Sequence, residues 1–233
     1  MNYAFTNGKI LNGTKDMQIQ EGLCILVQEE KITDIVPDTT DLHDYTVIDL
    51  HGHYILPGLI NMHVHLAGNG KPQKKQRDNE KLVNTIMGSS LIRAVAYNMV
   101  AGFARDELLS GVTTIRTVGG LGDFDTRLRD EIKAGKKVGP RILAANQGIS
   151  VPGGHMAGSV AIAAATTADA LKHLEKSEKE NVDLIKLMIT GGVLDAKEKG
   201  VPEELKMAPE MVRAVCDKAH ADGYIVSAHV ESP

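Results

Sequence analysis

The sequence predicts an α/β protein, an incomplete (β/α)8 barrel of the TIM type with about five strands present, preceded by a small N-terminal β-sheet region. Three observations carry this. From residue 59 onward β-rich and helical patterns alternate, the order that produces parallel βα units. Runs such as Leu184 to Ile189 are almost continuously apolar, as suits strands covered on both faces. The rival architecture, an open doubly wound sheet, would usually place a glycine-rich phosphate loop after its first strand, and that position holds two histidines.

Residues 1–57 form the first predicted domain. Tyr3 to Ile10, Gly22 to Gln28, Lys31 to Val36 and Thr46 to Leu50 are β-rich runs separated by Asn-Gly, Glu-Glu and Pro-Asp, and a small antiparallel sheet fits them. The second domain, 58–233, begins after the Pro57-Gly58 turn. Leu59 to Leu66 reads as an apolar strand interrupted by Asn61, His63 and His65. Residues 68 to 82 are polar and basic, a long loop whose lysine-rich part, 71–77, is a solvated stretch placed where a lid could sit. Asn84 to Leu109 has helical spacing and stops at Gly111, and Val112 to Val118 is a β-branched strand. Asp125 to Ala134 is helical up to Gly135, and Arg141 to Ala145 is a third strand. Thr167 to Glu180 is a helix capped by Thr166 or Thr167, followed by the strand Leu184 to Ile189. Pro209 to Ala221 is a helix ending at Gly223, and Tyr224 to Val230 is the fifth strand. The strand–helix units average about 40 residues, long but acceptable for a barrel with loop insertions.

Composition narrows the function. The 233 residues are 42% hydrophobic and 24% charged, ordinary for a globular chain that buries a sizeable core. A net charge of −4 offers no basic face for nucleic acid, and aromatics at 3% leave little to stack on bases or sugars. No apolar run reaches the roughly 18 residues of a membrane-spanning helix, and the N-terminus lacks the pattern of a signal peptide. Cys24 and Cys216 fit no zinc-knuckle spacing and read as reduced thiols of a cytoplasmic protein.

Four places stand out chemically. In His63-Val64-His65, residues i and i+2 of a strand share a face, so both imidazoles project together near the strand's C-terminal end. They could share a metal or be hydrogen-bonded on a sheet surface. Lys186 interrupts an apolar strand, where a bare ammonium is costly to bury unless it snorkels to the strand end. His229 ends the fifth strand, a structural or a ligating position. His155 lies in the loop Val151-Pro152-Gly153-Gly154-His155, facing a substrate or merely exposed on a turn. Arg116, near the end of the second strand, is a structural or functional cation. The other histidines, 43, 51, 53, 173 and 220, carry no such pattern.

Taken together, Asp49-Leu50-His51-Gly52 and Ile55-Leu56-Pro57-Gly58 running into His63-Val64-His65 resemble the approach to the first barrel strand of the amidohydrolase superfamily. That family commonly has Asp at the position of Asn61, which is not a ligand there. Ile185-Lys186-Leu187-Met188 with Thr190-Gly191-Gly192 resembles the fourth barrel strand of the branch containing imidazolonepropionase-like proteins and Xaa-Pro dipeptidases, or prolidases. Val226-Ser227-Ala228-His229 resembles the end of the fifth, and Gly153-Gly154-His155 resembles a substrate-facing segment of that branch.

The resemblance implies two divalent metal ions, zinc being expected though nitrogen and oxygen donors also accept manganese or iron. His63 and His65 would hold one metal and His229 the other, with carboxylated Lys186 bridging them and His155 binding substrate. The implied activity is hydrolysis of a dipeptide, lactam or related amide by metal-activated water. The substrate would be a small molecule and the protein a homo-oligomer. The family also supplies a sixth-strand histidine and an acid/base aspartate from the eighth strand, both absent from this chain, which at Ser232-Pro233 is opening a further helix. The alternative is therefore a truncated, non-catalytic fragment that retains a partial metal site.

Overall fold

The computed structural model of the chain describes residues 1–68, 70, 78–192 and 204–231. The lysine-rich stretch 71–77 and the expected helix start at Ser232-Pro233 lie outside the described residues. Two compact units divide the chain at Gly58 and Leu59.

In the first unit the strands are β1 (Asn2–Thr6), β2 (Lys9–Ile10), β3 (Leu23–Gln28), β4 (Lys31–Pro37), β5 (Thr46–Asp49) and β6 (Tyr54–Ile55). The sheet order is β4-β3-β1-β5, with β2 and β6 paired separately. β3 and β4 are joined through Glu29-Glu30, where Glu29 adopts a positive φ of 57°, the twist a tight hairpin demands. The expectation of an antiparallel sheet is only partly met. β5 pairs with β1 in parallel, Tyr3 opposite Thr46, because the connection after β4 carries the chain across to the far side of β1. Ala4, Cys24, Ile25 and Leu26 are buried on this sheet, and Cys24 and Cys216 are free thiols.

The second unit runs β7 (Leu59–Val64), α1 (Asn79–Met87), α2 (Ser90–Leu109), β8 (Val112–Thr117), α3 (Phe124–Lys133), β9 (Arg141–Leu143), β10 (Gly148–Ser150), β11 (Ala161–Ala163), α4 (Thr167–Lys179), β12 (Leu184–Met188), α5 (Pro209–Ala221) and β13 (Ile225–His229). All its ladders between named strands are parallel: β7-β8-β9 form one sheet and β11-β10-β12-β13 another. Among the described residues the strands do not close into a barrel. Between the two sheets, Ala144 N–H donates to Asp183 Oδ2 and Asp183 N–H donates to Ala144 O, both at 2.8 Å.

Several elements of this unit differ from expectation, and α1 begins at Asn79, inside the stretch 68–82 expected to be loop. The single helix expected over Asn84 to Leu109 is two helices, because Ser89 accepts from the Ile92 amide and caps α2, while Gly88 ends α1 on Asn84 O. The third strand is also split. β9 and β10 are separated by Ala144–Gln147, where Asn146 takes a φ of 55° that a strand cannot continue through. Short β11, parallel to β10, is an addition that Ala161-Ile162-Ala163 did not announce. Elsewhere the termini follow local rules. Thr166 and Asp169 form a reciprocal capping box on α4, and Pro209 opens α5.

Burial follows the pattern of the parallel strands. All five residues of β12 are buried, Lys186 among them. Ile149, Leu174, Ile185, Leu187, Met211 and Val215 pack together in one core cluster, and Val64, Leu66, Tyr97, Ile115, Phe124 and Leu128 in another. Truncating one such leucine to alanine costs about 2–5 kcal/mol. Among the described residues no helix is long and apolar enough to cross a membrane.

Candidate functional site

His63 is on β7 and His65 follows its last residue, Val64, which is buried between them. The alternation predicted from sequence brings the two imidazoles together: their Nε2 atoms are 3.2 Å apart and their ring centroids 5.2 Å apart. On its other edge, His65 Nδ1–H donates to Gly119 O at 3.1 Å, which leaves Nε2 as the nitrogen with a lone pair. A side chain at Gly119 would press on that ring, since a Cβ there would lie 3.1 Å from His65 Cε1, and its φ of 138° favours glycine.

Lys186 sits at the centre of β12 with 2% of its surface exposed. Among the described residues no hydrogen bond or ion pair reaches its Nζ. Burial, with the Arg116 guanidinium a lesser influence, pushes its pKa down to about 8. Snorkelling is therefore not what this lysine does. Lys186 stands opposite Ser227, two residues before His229, so Lys186 and His229 project on the same side of the β12–β13 ladder. The lysine charge also depresses His63, His65 and His229, in each case behind the larger effect of desolvation.

His229 ends β13. Its Nε2–H donates to Gly191 O at 3.2 Å, with Glu231 Oε1 3.7 Å away. The His155 ring lies against the His229 ring, centroids 4.0 Å apart and planes within 13°. Gly192 makes this stacking possible, since any Cβ there would overlap the His155 imidazole. Arg116 Nε–H donates to Met62 O at 2.8 Å, anchoring the guanidinium beside the His63 strand. His63 is thus brought to His65 and His229 to His155, and Lys186 lies near enough for its charge to reach His63, His65 and His229.

A family model described as the amidohydrolase family matches residues 54–233. The chain belongs to the amidohydrolase family. Among solved amidohydrolase-like structures, one named as a prolidase from Bifidobacterium longum is 34% identical with a TM-score of 0.75, covering 100% of this chain and 50% of its own. A Xaa-Pro dipeptidase with bound methionine in its active site is 29% identical with a TM-score of 0.76, covering 99% of this chain and 57% of its own. A dihydroorotase of Bacillus thuringiensis (strain Al Hakam) is 33% identical over 95 residues, 41% of this chain and 21% of that protein. The chain spans about half the length of these solved relatives.

A tetrahedral ion about 2.0–2.1 Å from two nitrogens holds them roughly 3.3 Å apart, which the His63–His65 separation of 3.2 Å fits. His229 keeps Nδ1 for ligation while Gly191 holds Nε2. Among the described residues no three His, Cys, Asp or Glu side chains converge as a metal cluster. Geometrically the donor set is one histidine pair, one histidine and one lysine, so a second ion fits only if Lys186 becomes an oxygen donor.

The sequence pattern did not single out Asn146, Asp125 or the glycines at 119, 120 and 148, and marked Gly192 only within Thr190-Gly191-Gly192. The four glycines leave space for His65, Asp125, Lys186 and His155, side chains of other segments. A glycine or asparagine beside a strand end was the only local sign.

Proposed function

We propose that this chain carries the metal centre of a hydrolase that cleaves amide-type bonds in small substrates such as dipeptides or lactams. The observation that carries the reading is Lys186, a buried lysine with no anion beside it among the described residues. Such a group is costly as a cation. With its pKa near 8, about a tenth is free amine at pH 7, far more than for an ordinary lysine. The amine nitrogen can add to carbon dioxide, forming a C–N bond and releasing a proton to solvent. The carbamate product would be an anion with two oxygen donors, available to the ions that His63, His65 and His229 would hold.

His63 and His65 would hold one divalent ion and His229 the other, with carboxylated Lys186 between them, zinc being the ion best suited to this donor set. The ions would supply acidified water and polarisation of the scissile carbonyl. The protein's own contributions are distinct. Gly119 fixes the His65 tautomer, Gly191 orients His229, Arg116 adds positive charge beside a carbamate, and His155 stands where a substrate group would arrive. The named activities of the prolidase and Xaa-Pro dipeptidase relatives support a dipeptide first and a lactam second. Self-association is proposed as well, because Leu59, Ile60 and Met62 on β7 are all exposed apolar side chains.

The test combines metal content, a ¹³C resonance of carbamate after incubation with labelled bicarbonate, and turnover on Xaa-Pro, Xaa-Arg and lactam substrates. Two metals per chain with a carbamate signal are expected. A chain that binds no metal and turns over none of the panel would instead be a non-catalytic one.

A further inference from the structure

We propose that Asn146 is a positioning residue for His65, acting through the peptide unit between Gly119 and Gly120. The proposal rests on the reading of His65 as a metal ligand and adds a residue that reading does not contain.

The Gly119 carbonyl and the Gly120 amide belong to one peptide plane and point in opposite directions. On one side Gly119 O accepts from His65 Nδ1–H at 3.1 Å. On the other, Gly120 N–H donates to Asn146 O at 2.8 Å. A Gly-Gly peptide is otherwise free to rotate, because neither residue has a Cβ to bias it. Asn146 O is the group that holds the plane so that its carbonyl faces the imidazole. Two aligned bonds through one peptide also polarise each other, making Gly119 O a better acceptor.

Asn146 is built to stay in place. It is 1% exposed and holds a φ of 55°, a conformation that asparagine tolerates better than most side chains. Its Oδ1 accepts from Thr126 N–H at 3.1 Å, and its Nδ2 donates to Thr126 Oγ1 at 3.0 Å and to Glu180 Oε2 at 2.9 Å. The first of these bonds satisfies an amide in the opening turn of α3, whose own N-cap Asp123 makes no side-chain capping bond. From behind, the Asp125 carboxylate fills the space where a Gly120 Cβ would go. The break in the third strand at Ala144–Gln147 is the device that turns the Asn146 carbonyl toward Gly120.

A ligating histidine whose other nitrogen donates to a fixed carbonyl keeps one tautomer and one ring orientation, and losing that partner typically weakens metal binding about 10–100-fold. The experiment uses the full chain, metal-free, with ¹⁵N-labelled histidine rings. The His65 Nδ1–H resonance is assigned by its absence in His65→Gln. In the wild type it should be visible and slow to exchange with water. In Asn146→Ala, which strains the left-handed backbone and deletes the side-chain bonds, exchange should accelerate about 10-fold or more. Zinc titrated in competition with a chelator should then bind about 10–100-fold more weakly. Asn146→Gly keeps the left-handed backbone accessible and should lie between the two.

A folded Asn146→Ala chain whose His65 Nδ1–H signal is unchanged would overturn the proposal. If Asn146→Ala does not fold, Thr126→Val removes one side-chain bond to Asn146 and should accelerate exchange to a smaller degree; no acceleration there would overturn it equally. A slow Nδ1–H in a wild-type chain that binds no zinc would sink the metal reading while leaving the relay standing.

Discussion

Gly148 on β10 and Lys186 on β12 are matched across the parallel ladder: a Cβ at residue 148 would come 3.2 Å from Lys186 Cγ and 3.3 Å from Met188 Cε. The lysine stem therefore runs through space that only glycine leaves open. Gly148→Ala should push the stem aside by a few tenths of an ångström. Gly148→Val should overpack the strand pair, lowering stability by about 1–3 kcal/mol and abolishing the carbamate signal. Chemical denaturation and ¹³C spectra of both variants check this, and a valine variant with wild-type carbamate content would refute it.

Lys186 should behave oppositely in stability and in function. In the metal-free chain its folded pKa, near 8, lies below the ordinary 10.5, so the folded state binds its proton less tightly than the unfolded state does. Stability is therefore penalised below pH 8 and recovers as pH rises from 8 towards 10.5. At pH 7 the penalty is on the order of 3 kcal/mol. Lys186→Met should stabilise the metal-free chain at pH 7 by an amount approaching this, with the gain shrinking above pH 8. The same substitution should lower metal content and reduce hydrolysis by orders of magnitude in the active protein. Denaturation curves at several pH values, beside metal analysis, separate the two effects.

His63, His65 and Lys186 were legible in the sequence because each breaks a periodic pattern. Two histidines at strand spacing must share a face, and a lysine inside five apolar positions has to be explained. Asn146 was not legible. Its role is exerted by a backbone carbonyl and a positive φ, and Ala-Ala-Asn-Gln reads like any connection. Gly119 and Gly148 were equally silent, since their reason lies in side chains 54 and 38 residues away in sequence. Apolar periodicity ran through Gly88-Ser89 and hid a helix break that only the Ser89 cap reveals. The direction of β5 depends on which side of β1 the chain crosses, which local pattern does not encode.

Asp183 joins the two parallel sheets. Its Oδ2 accepts from Ala144 N–H and from Arg129 Nη1, both at 2.8 Å. Asp183→Ala leaves the Ala144 amide without its acceptor and takes from the Arg129 guanidinium one of three, Asp130 and the Asn181 carbonyl remaining, and should cost about 1–3 kcal/mol. Asp183→Asn keeps one acceptor oxygen and should lose less. The same stitch borders the Asn146 turn, so Asp183→Ala should also hasten exchange of the His65 Nδ1–H. Thermal or denaturant unfolding of the pair tests the order, and equal stability of alanine and asparagine variants would contradict it.

Asp125 sets a pH dependence of a different sign from that of an ordinary paired carboxylate. It is 1% exposed, and burial pushes its pKa up to about 6, the neighbouring Thr117 hydroxyl pulling weakly the other way. Among the described residues neither Asp125 Oδ2 nor Thr117 Oγ1 has a hydrogen bond of normal geometry. The folded state therefore holds the carboxyl proton more tightly than the unfolded state, whose value is near 3.8. Stability contributed by this group is present below pH 3.8, falls as pH rises to about 6, and stays lost above that. Asp125→Asn, neutral at every pH and nearly the same shape, should be the more stable chain at pH 7 to 8 by up to about 3 kcal/mol. At pH 4 the advantage should shrink to nearly nothing. Because the amide still fills the space behind Gly120, the His65 Nδ1–H resonance should be retained in this variant. Denaturation of wild type and Asp125→Asn between pH 4 and 8 makes the comparison, and a stability difference that does not change with pH would show that the buried carboxyl is already paired.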